Sequence, residues 1–300
     1  MKDVILSYAT NISYEDFARL VRSARAHVPA ARADLVIITN AQSPRFAELA
    51  AELEVELLPA PPSVWKAVQS SRVLRILFRG LFSFFEVSER VAKPPQSWQV
   101  VQAALTGMWA HPINGRHFAY LEFFALRPDY RMVLLTDARD VVFQGDPFEP
   151  ALDPGKLHAF LQDEGLVYGQ KNVDTDWYVH VYGNAGLAKV TGKPIACAGT
   201  IMGGTAIIHR LIEEMIGDLV NHKRGSVDQA VYNSILHGRL NPVVQFHPNL
   251  VSTVLTFGDV AEDRFTIVGD EVRVAGKVPA VLHQYDRCQP VREVMHRRFS

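Results

Sequence analysis

Met132-Val133-Leu134-Leu135-Thr136-Asp137-Ala138-Arg139-Asp140-Val141-Val142-Phe143 decides how the rest of the chain is read. An apolar run passes straight into two carboxylates, and a second apolar run follows at once. Such a run, without alternation, predicts a strand buried on both faces, as in a parallel sheet covered by helices. In open sheets of that kind ligands settle beyond the carboxyl ends of the strands, so acids just after a buried strand stand at the mouth of the ligand crevice. One stretch thus predicts a fold class and a place for chemistry.

Working outward, the chain before it alternates in the way a parallel sheet needs. Val4 to Tyr8 reads as a strand, Phe17, Leu20, Val21, Ala24 and Val28 recur at helical spacing, and Leu35-Val36-Ile37-Ile38 is a second buried run. Ser13 with Asp16 supplies a capping box for the helix. A helix over about 44–53 and a strand over about 55–58 complete a βαβαβ start, and a helix from Gly115 to Leu126 leads into the Asp137 strand. After it come a strand around 157–162, a glycine-rich passage from Ala198 to Gly204, and an amphipathic helix carrying Ile208, Leu211, Ile212, Met215, Ile216 and Leu219. A short helix near Ser226 follows, then short strands and loops up to Val281-Leu282-His283. The expectation is an α/β fold: one domain over 1–300, with a central, mostly parallel twisted sheet flanked by helices, an insert at 61–97 and a basic C-terminal tail at 284–300.

With 300 residues and 48% hydrophobic content, one sizeable core is within reach. Lys plus Arg number 31 against 32 Asp plus Glu, so no global field draws nucleic acid, and any anion must be held locally. Cys197 and Cys288 lack the paired spacing of a zinc site and read as buried thiols in a reducing compartment. The opening apolar run Val4-Ile5-Leu6 is too brief for a signal peptide, no stretch has the apolar length of a membrane span, and the expected location is cytoplasmic. In the insert Lys66, Arg72, Arg75, Arg79, Arg90 and Lys93 outnumber Glu86 and Glu89 around Ile76-Leu77-Phe78-Arg79-Gly80-Leu81-Phe82-Ser83-Phe84-Phe85. Two readings stand: a peripheral membrane helix or acceptor lid, and a core helix pair with solvated arginines.

Two carboxylates at a strand end can hold a hard divalent cation through oxygen, and that cation can bridge two phosphate oxygens. Equally, Asp can cap a turn. Leu134 to Asp140, continued by Val141-Val142-Phe143-Gln144-Gly145-Asp146-Pro147-Phe148, resembles the metal-site segment of GT-A glycosyltransferases. The resemblance implies a GT-A (Rossmann-like) domain. It also implies an enzyme of the hexosyltransferase class that moves a sugar from a nucleoside-diphosphate donor to an acceptor hydroxyl, with Mn2+ or Mg2+ against the diphosphate. The acceptor, a saccharide, a lipid-linked molecule or a protein, is left open. The family's pattern is Asp-x-Asp and this chain has Asp-x-x-Asp. Aligning the downstream residues makes Asp140 the second acid and puts Ala138 at the first. Asp137 then either ligates from one residue earlier or meets the ribose or donor sugar.

Val281-Leu282-His283-Gln284-Tyr285-Asp286-Arg287 resembles the late histidine that completes the family's metal site, with Arg287 positioned for the diphosphate. Ser226-Val227-Asp228-Gln229-Ala230-Val231-Tyr232-Asn233 resembles the Asp-Gln-x-x-x-Asn helix start of retaining, family-8-like transferases, where Asp228 would meet sugar hydroxyls or an oxocarbenium-like centre. Ser226 and Gln229 also make a capping box, and Asp228 suits a helix N-terminus. By the same resemblance Tyr8, Thr10 and Asn11 meet the base and ribose, and Arg116 and Tyr120 the nucleotide. Gly199 to Gly204, with Gly203 and Gly204 as the expected contacts, permits the close backbone approach that a donor-sugar pocket needs, although glycines also serve tight turns. Asp163, Glu164 and Asp228 are candidate general bases on position. A dehalogenase-like phosphatase would need its acidic strand near the start of the core domain. A nucleotidyltransferase would need a glycine-rich loop where Ser7-Tyr8-Ala9-Thr10-Asn11 stands. A non-catalytic GT-A-like module binding glycan or protein is the third alternative, and Ala138 argues for it.

Overall fold

Val133–Thr136 forms β4, every residue of it buried, with a partner strand on each side. β1 (Asp3–Ala9) pairs with it in parallel and β7 (Ala196–Gly203) antiparallel. With β2 (Ala33–Thr39), β3 (Val55–Pro59), β6 (Leu157–Leu161) and β8 (Val244–His247) they make a seven-stranded sheet in the order β3-β2-β1-β4-β7-β6-β8. All neighbouring pairs are parallel except the two that involve β7. The computed structural model describes residues 1–41, 43–64, 70–74, 76–77, 107, 111–127, 129–163, 165–219, 227–258 and 260–300.

Alternation along each strand feeds two apolar layers. Val4, Leu6, Val36, Val133 and Leu135 face α3 (Pro112–Leu126), α5 (Thr205–Leu219) and α6 (Asp228–His237). Ile5, Leu35, Ile37 and Leu134 face α1 (Tyr14–His27) and α2 (Pro44–Glu52) through Phe17, Leu20, Phe46 and Leu49. Each such side chain stabilises the fold by about 1.5–3 kcal/mol through loss of water contact alone. Ser13 caps α1, accepting from Asp16 N at 3.1 Å and donating to the Asp16 carboxylate at 2.7 Å.

A second, three-stranded sheet places the late histidine. β12 (Val281–His283) lies between β5 (Val141–Phe143), antiparallel, and β9 (Val254–Thr256), parallel. Since β5 starts one residue after Asp140 and His283 pairs opposite Val141, the register alone carries the imidazole to the acids. Gln284, at φ 55°, closes the corner by donating its backbone N–H to Asp140 O at 2.7 Å. β10 (Thr266–Val268) and β11 (Glu271–Arg273) form a separate antiparallel pair.

Several elements differ from the sequence reading. The glycine-rich passage is the fully buried strand β7, and α4 (Val173–Leu187) lies where no helix was expected; its regular geometry breaks at Gly183. α3 begins at Pro112 and β6 ends at Leu161. The basic tail packs: α7 (Gln289–Arg298) buries Val291 and Met295 completely. Ser226, Glu164 and most of 61–97 lie outside the described residues. Of the insert's described apolar side chains, Val73, Ile76 and Leu77 are exposed, Leu74 is half-buried and Val64 packs against the core.

Candidate metal centre

Chain direction at the end of β4 sorts the Asp137–Asp140 turn into two sides. Ala138 is buried in the apolar layer that also holds Val141 and Phe143, so an acid at that position would point into hydrocarbon. Asp137 and Asp140 turn the other way, and Asp137 N donates to Gly199 O of β7 at 2.8 Å. The Asp-x-x-Asp spacing follows from this turn: the acid is displaced one residue because the intervening position faces the core.

Asp137, Asp140 and His283 bring one ligating atom each to within 4.8 Å of one another. His283 Nε2 stands 3.5 Å from Asp137 Oδ2 and 4.0 Å from Asp140 Oδ1. His283 is fully buried, and its Nε2 has no hydrogen-bond partner. Beside it β7 passes so closely that a Cβ on Gly199 would collide with that nitrogen and come within 2.6 Å of Asp137 Oδ2. A bare imidazole nitrogen and two carboxylates in a cradle kept open by glycine fit a divalent cation with mixed N and O ligands. The candidate donor set is Asp140 and His283 with Asp137.

Arg116 ties this cluster to α6. From α3 its Nη1 donates to Asp137 Oδ1 at 2.5 Å, and its Nη2 to Asp228 Oδ2 at 2.6 Å and to Ala198 O at 3.0 Å. Burial disfavours its charge, but Asp228 and Asp137 outweigh burial and hold the guanidinium above its usual range. Asp137 is correspondingly held down to about 2: burial opposes ionisation, and Arg116 and His283 overcome it. For Asp140 and Asp228 burial wins, so both carboxyls lie above their ordinary value despite His283 and Arg116 respectively. His283 is held above its ordinary value, because burial is outweighed by Cys197, Asp137 and Asp140 around the ring. A proton and a cation therefore compete for its Nε2.

The other expected residues divide by position. Within the Asp228-Gln229-x-x-x-Asn233 helix start only Asp228 meets Arg116. Gln229 accepts from Ala198 N at 3.3 Å, and Asn233 bonds both Ala196 N and Ala196 O, at 2.9 and 2.8 Å. The two amides thus satisfy the backbone of β7 where its register with β6 shifts. Tyr120 is enclosed, with Arg116, Asp137 and Tyr8 in its electrostatic surroundings. Thr10 and Asn11 follow β1, and Asn11 N donates to Asn40 Oδ1 at 2.9 Å. Arg287 is exposed on the turn after His283, and Arg139 is exposed between the two acids. Asp163 caps its own turn, accepting from Gly165 N at 2.9 Å.

Gly203 and Gly204 require a correction. Because β7 runs against β4, Gly203 pairs with Val133 at the start of β4, while Thr200 pairs with Thr136 at its end. Both glycines therefore lie at the opposite edge of the sheet from the acids, where a Cβ on Gly203 would meet Ile207 Cγ2 at 2.8 Å and Lys156 O at 3.0 Å, and one on Gly204 would strike Pro154 O. They serve close packing there, and the glycine at the cluster is Gly199. Sequence reasoning also missed His117, which is buried with Nε2 4.0 Å from Asp228 Oδ2 and no partner on either ring nitrogen. Burial and Arg116 hold His117 well below its usual range. Its spacing next to Arg116 on an apolar helix was the one available signal.

No known protein family matches the sequence, and no curated protein does. Among solved structures, the fold is similar to the apo structure of WbbM, a bifunctional glycosyltransferase, with a TM-score of 0.53 and 14% sequence identity. The similarity covers 94% of this chain and 45% of that one, so the chain spans less than half of that protein's length. The likeness is one of architecture alone; in this chain an Asp-Asp-His cluster stands at the strand end where α/β sheets bind ligands.

Proposed function

We propose that this chain is a metal-dependent glycosyltransferase of the GT-A kind that moves a hexose from a nucleoside-diphosphate sugar to an acceptor hydroxyl. The observation that carries the reading is the convergence of Asp137, Asp140 and His283 in a fold shared with a glycosyltransferase. Asp140 and His283, with Asp137, hold the cation, Mn2+ or Mg2+. When bound, it supplies positive charge against the negative charge that grows on a departing diphosphate. Arg116 fixes Asp137 and Asp228 on either side of one guanidinium, and Arg287 and Arg139 reach the diphosphate from the exposed rim. Tyr8, Thr10 and Asn11, at the end of β1, take the base and ribose, with Tyr120 backing Arg116.

Asp228 suits a role toward the sugar better than Asp163. It shares Arg116 with Asp137, whereas the Asp163 carboxylate is engaged by Gly165 N. Among the described residues no helix is long and apolar enough to cross a membrane. The exposed Val73, Ile76 and Leu77 beside Arg72 support a peripheral contact of the 61–97 segment with lipid, and hence a lipid-linked or other large acceptor.

Release of nucleoside diphosphate from a panel of sugar nucleotides, with and without manganese, tests the reading. Metal-stimulated release is expected. Release of phosphate from phosphomonoesters instead would make the protein a phosphatase, and donor binding without release would make it a binding module.

A further inference from the structure

His283 turns Nε2 toward Asp137 and Asp140, so the groups that face Nδ1 decide which ring nitrogen can be left bare. Two side chains face it: Thr256 Oγ1 at 3.4 Å and Cys197 Sγ at 3.6 Å, both buried. They are not equivalent. A hydroxyl both donates and accepts strongly, whereas a thiol does each weakly.

Thr256 is anchored to the strand that carries the ring. It pairs opposite His283 in the register of β9 with β12, and Phe257 N donates to His283 O at 2.9 Å. Asn249 then holds it from both sides: Thr256 N donates to Asn249 Oδ1 at 2.7 Å, and Asn249 Nδ2 donates to Thr256 O at 2.8 Å. The same Nδ2 donates to Gln162 O, just past β6, at 3.0 Å. The buried amide thus locks the hydroxyl-bearing residue to both sheets.

We propose that Thr256 is the positioning residue of the cation site: its hydroxyl accepts the Nδ1 proton of His283, leaving the Nε2 lone pair directed at the space between Asp137 and Asp140, and Asn249 holds Thr256 in place. This inference rests on the metal reading of the site, and it concerns binding, so activity is not needed to test it.

Titration of the metal-free protein with Mn2+, followed by electron paramagnetic resonance of the free ion, gives the test. Thr256→Val keeps the shape and removes the hydroxyl; it should weaken Mn2+ binding about 10–100-fold. Thr256→Ser restores the hydroxyl and should stay within about threefold of the parent, with Cys197→Ala likewise close to it. Melting temperatures of the metal-free variants, expected to lie together, separate positioning from a folding defect. Unchanged Mn2+ binding by Thr256→Val, or failure of serine to restore it in a folded protein, overturns the proposal while leaving the metal site intact. A loss with Cys197→Ala as large as with Thr256→Val also overturns it, by moving the role to the sulfur. Absence of Mn2+ binding by the parent protein overturns the metal reading itself.

Discussion

Both ends of the central sheet bury carboxylates against arginine, and they finish the job differently. Where β1 and β4 start, Asp3 is fully buried. It accepts two bonds from Arg131, at 2.9 and 2.6 Å, one from Met132 N at 3.2 Å, and pairs with Arg32 at 2.5 Å. Arg32 also reaches Asp146 at 3.2 Å. None of these side chains keeps a buried atom without a partner. At the other end Asp137 and Asp228 share Arg116, while among the described residues the one basic side chain paired with Asp140 is His283, and Asp137 and Asp286 add like charge. Here Arg116 Nε, both nitrogens of His117, His283 Nε2 and Gln284 Oε1 are buried without partners. A closed knot spends its polar groups on folding; surplus negative charge and bare lone pairs are what a cation needs. The two clusters thus differ in what is left unsatisfied rather than in residue type.

Removing one acid from each end should break that comparison most sharply. Asp140→Ala is expected to abolish metal-stimulated release of nucleoside diphosphate, a loss on the order of 1,000-fold or more, because the charge that offsets the leaving group is no longer held. Its stability should be unchanged or slightly raised, since burial already disfavours the Asp140 carboxylate. Gly199→Ala should produce the same loss by steric means, its Cβ occupying the cradle. Metal-stimulated turnover by either variant at the parent rate would remove the cluster from the chemistry. Asp3→Ala should do the reverse, costing about 3 kcal/mol in urea unfolding and leaving Mn2+ affinity intact. The figure sits at the low end for a broken buried pair, because Arg32 and Arg131 can turn toward water.

The same contrast explains what the sequence could disclose. Asp137 and His283 were legible because each stands directly after an apolar run, and Asp140 because a second apolar run follows it at once. Ala138 and the spacing of the acids stayed ambiguous, since only the turn decides which side chain enters the core. Gly203 and Gly204 were placed at the wrong edge because nothing in a glycine-rich run states strand direction, and β7 is antiparallel. Gly199, in the same run, does stand at the acids, whereas Cys197, Asn249 and Thr256 are placed by pairings remote in sequence, so no local spacing marks them. Asp146, read as part of the metal-site frame, belongs to the knot through Arg32.

Acid should act first near the closed end. His158 Nε2 and Asp153 O are 2.9 Å apart, and a carbonyl only accepts, so this nitrogen carries the proton. Nδ1 of His158 must then accept from His247 Nε2, also at 2.9 Å. Burial, with His158 adding to it, holds His247 down to about 4, and burial lowers His158 in spite of Asp153. Both are more basic in the unfolded chain, so the stability they confer is complete above about pH 6.5 and is lost as pH falls toward 4. For His247, after allowance for partial solvent exposure, about 2 kcal/mol should disappear across that window. His247→Gln keeps a donor toward His158 and does not titrate, so its urea midpoint should fall less between pH 7 and pH 4.5. Parallel losses in parent and variant would acquit the pair.

The smallest expected effects separate the arginines of the two ends. Arg32 and Arg131 are engaged by Asp3, while Arg139 and Arg287 are exposed and carry no ion pair among the described residues. An exposed cation contributes little to folding but can meet an anion that arrives with the metal. Arg287→Ala should therefore leave thermal stability unchanged and weaken Mn2+-dependent binding of inorganic pyrophosphate about fivefold at low salt, the scale of one surface contact. In 0.5 M salt the gap should narrow, because exposed charges are screened within a few ångströms. Arg32→Ala should show the opposite pair of results, losing stability with no change in pyrophosphate affinity. If Arg287→Ala instead lowers stability as Arg32→Ala does, the rim at the acidic end is structural too, and the diphosphate must be held from the Arg139 side.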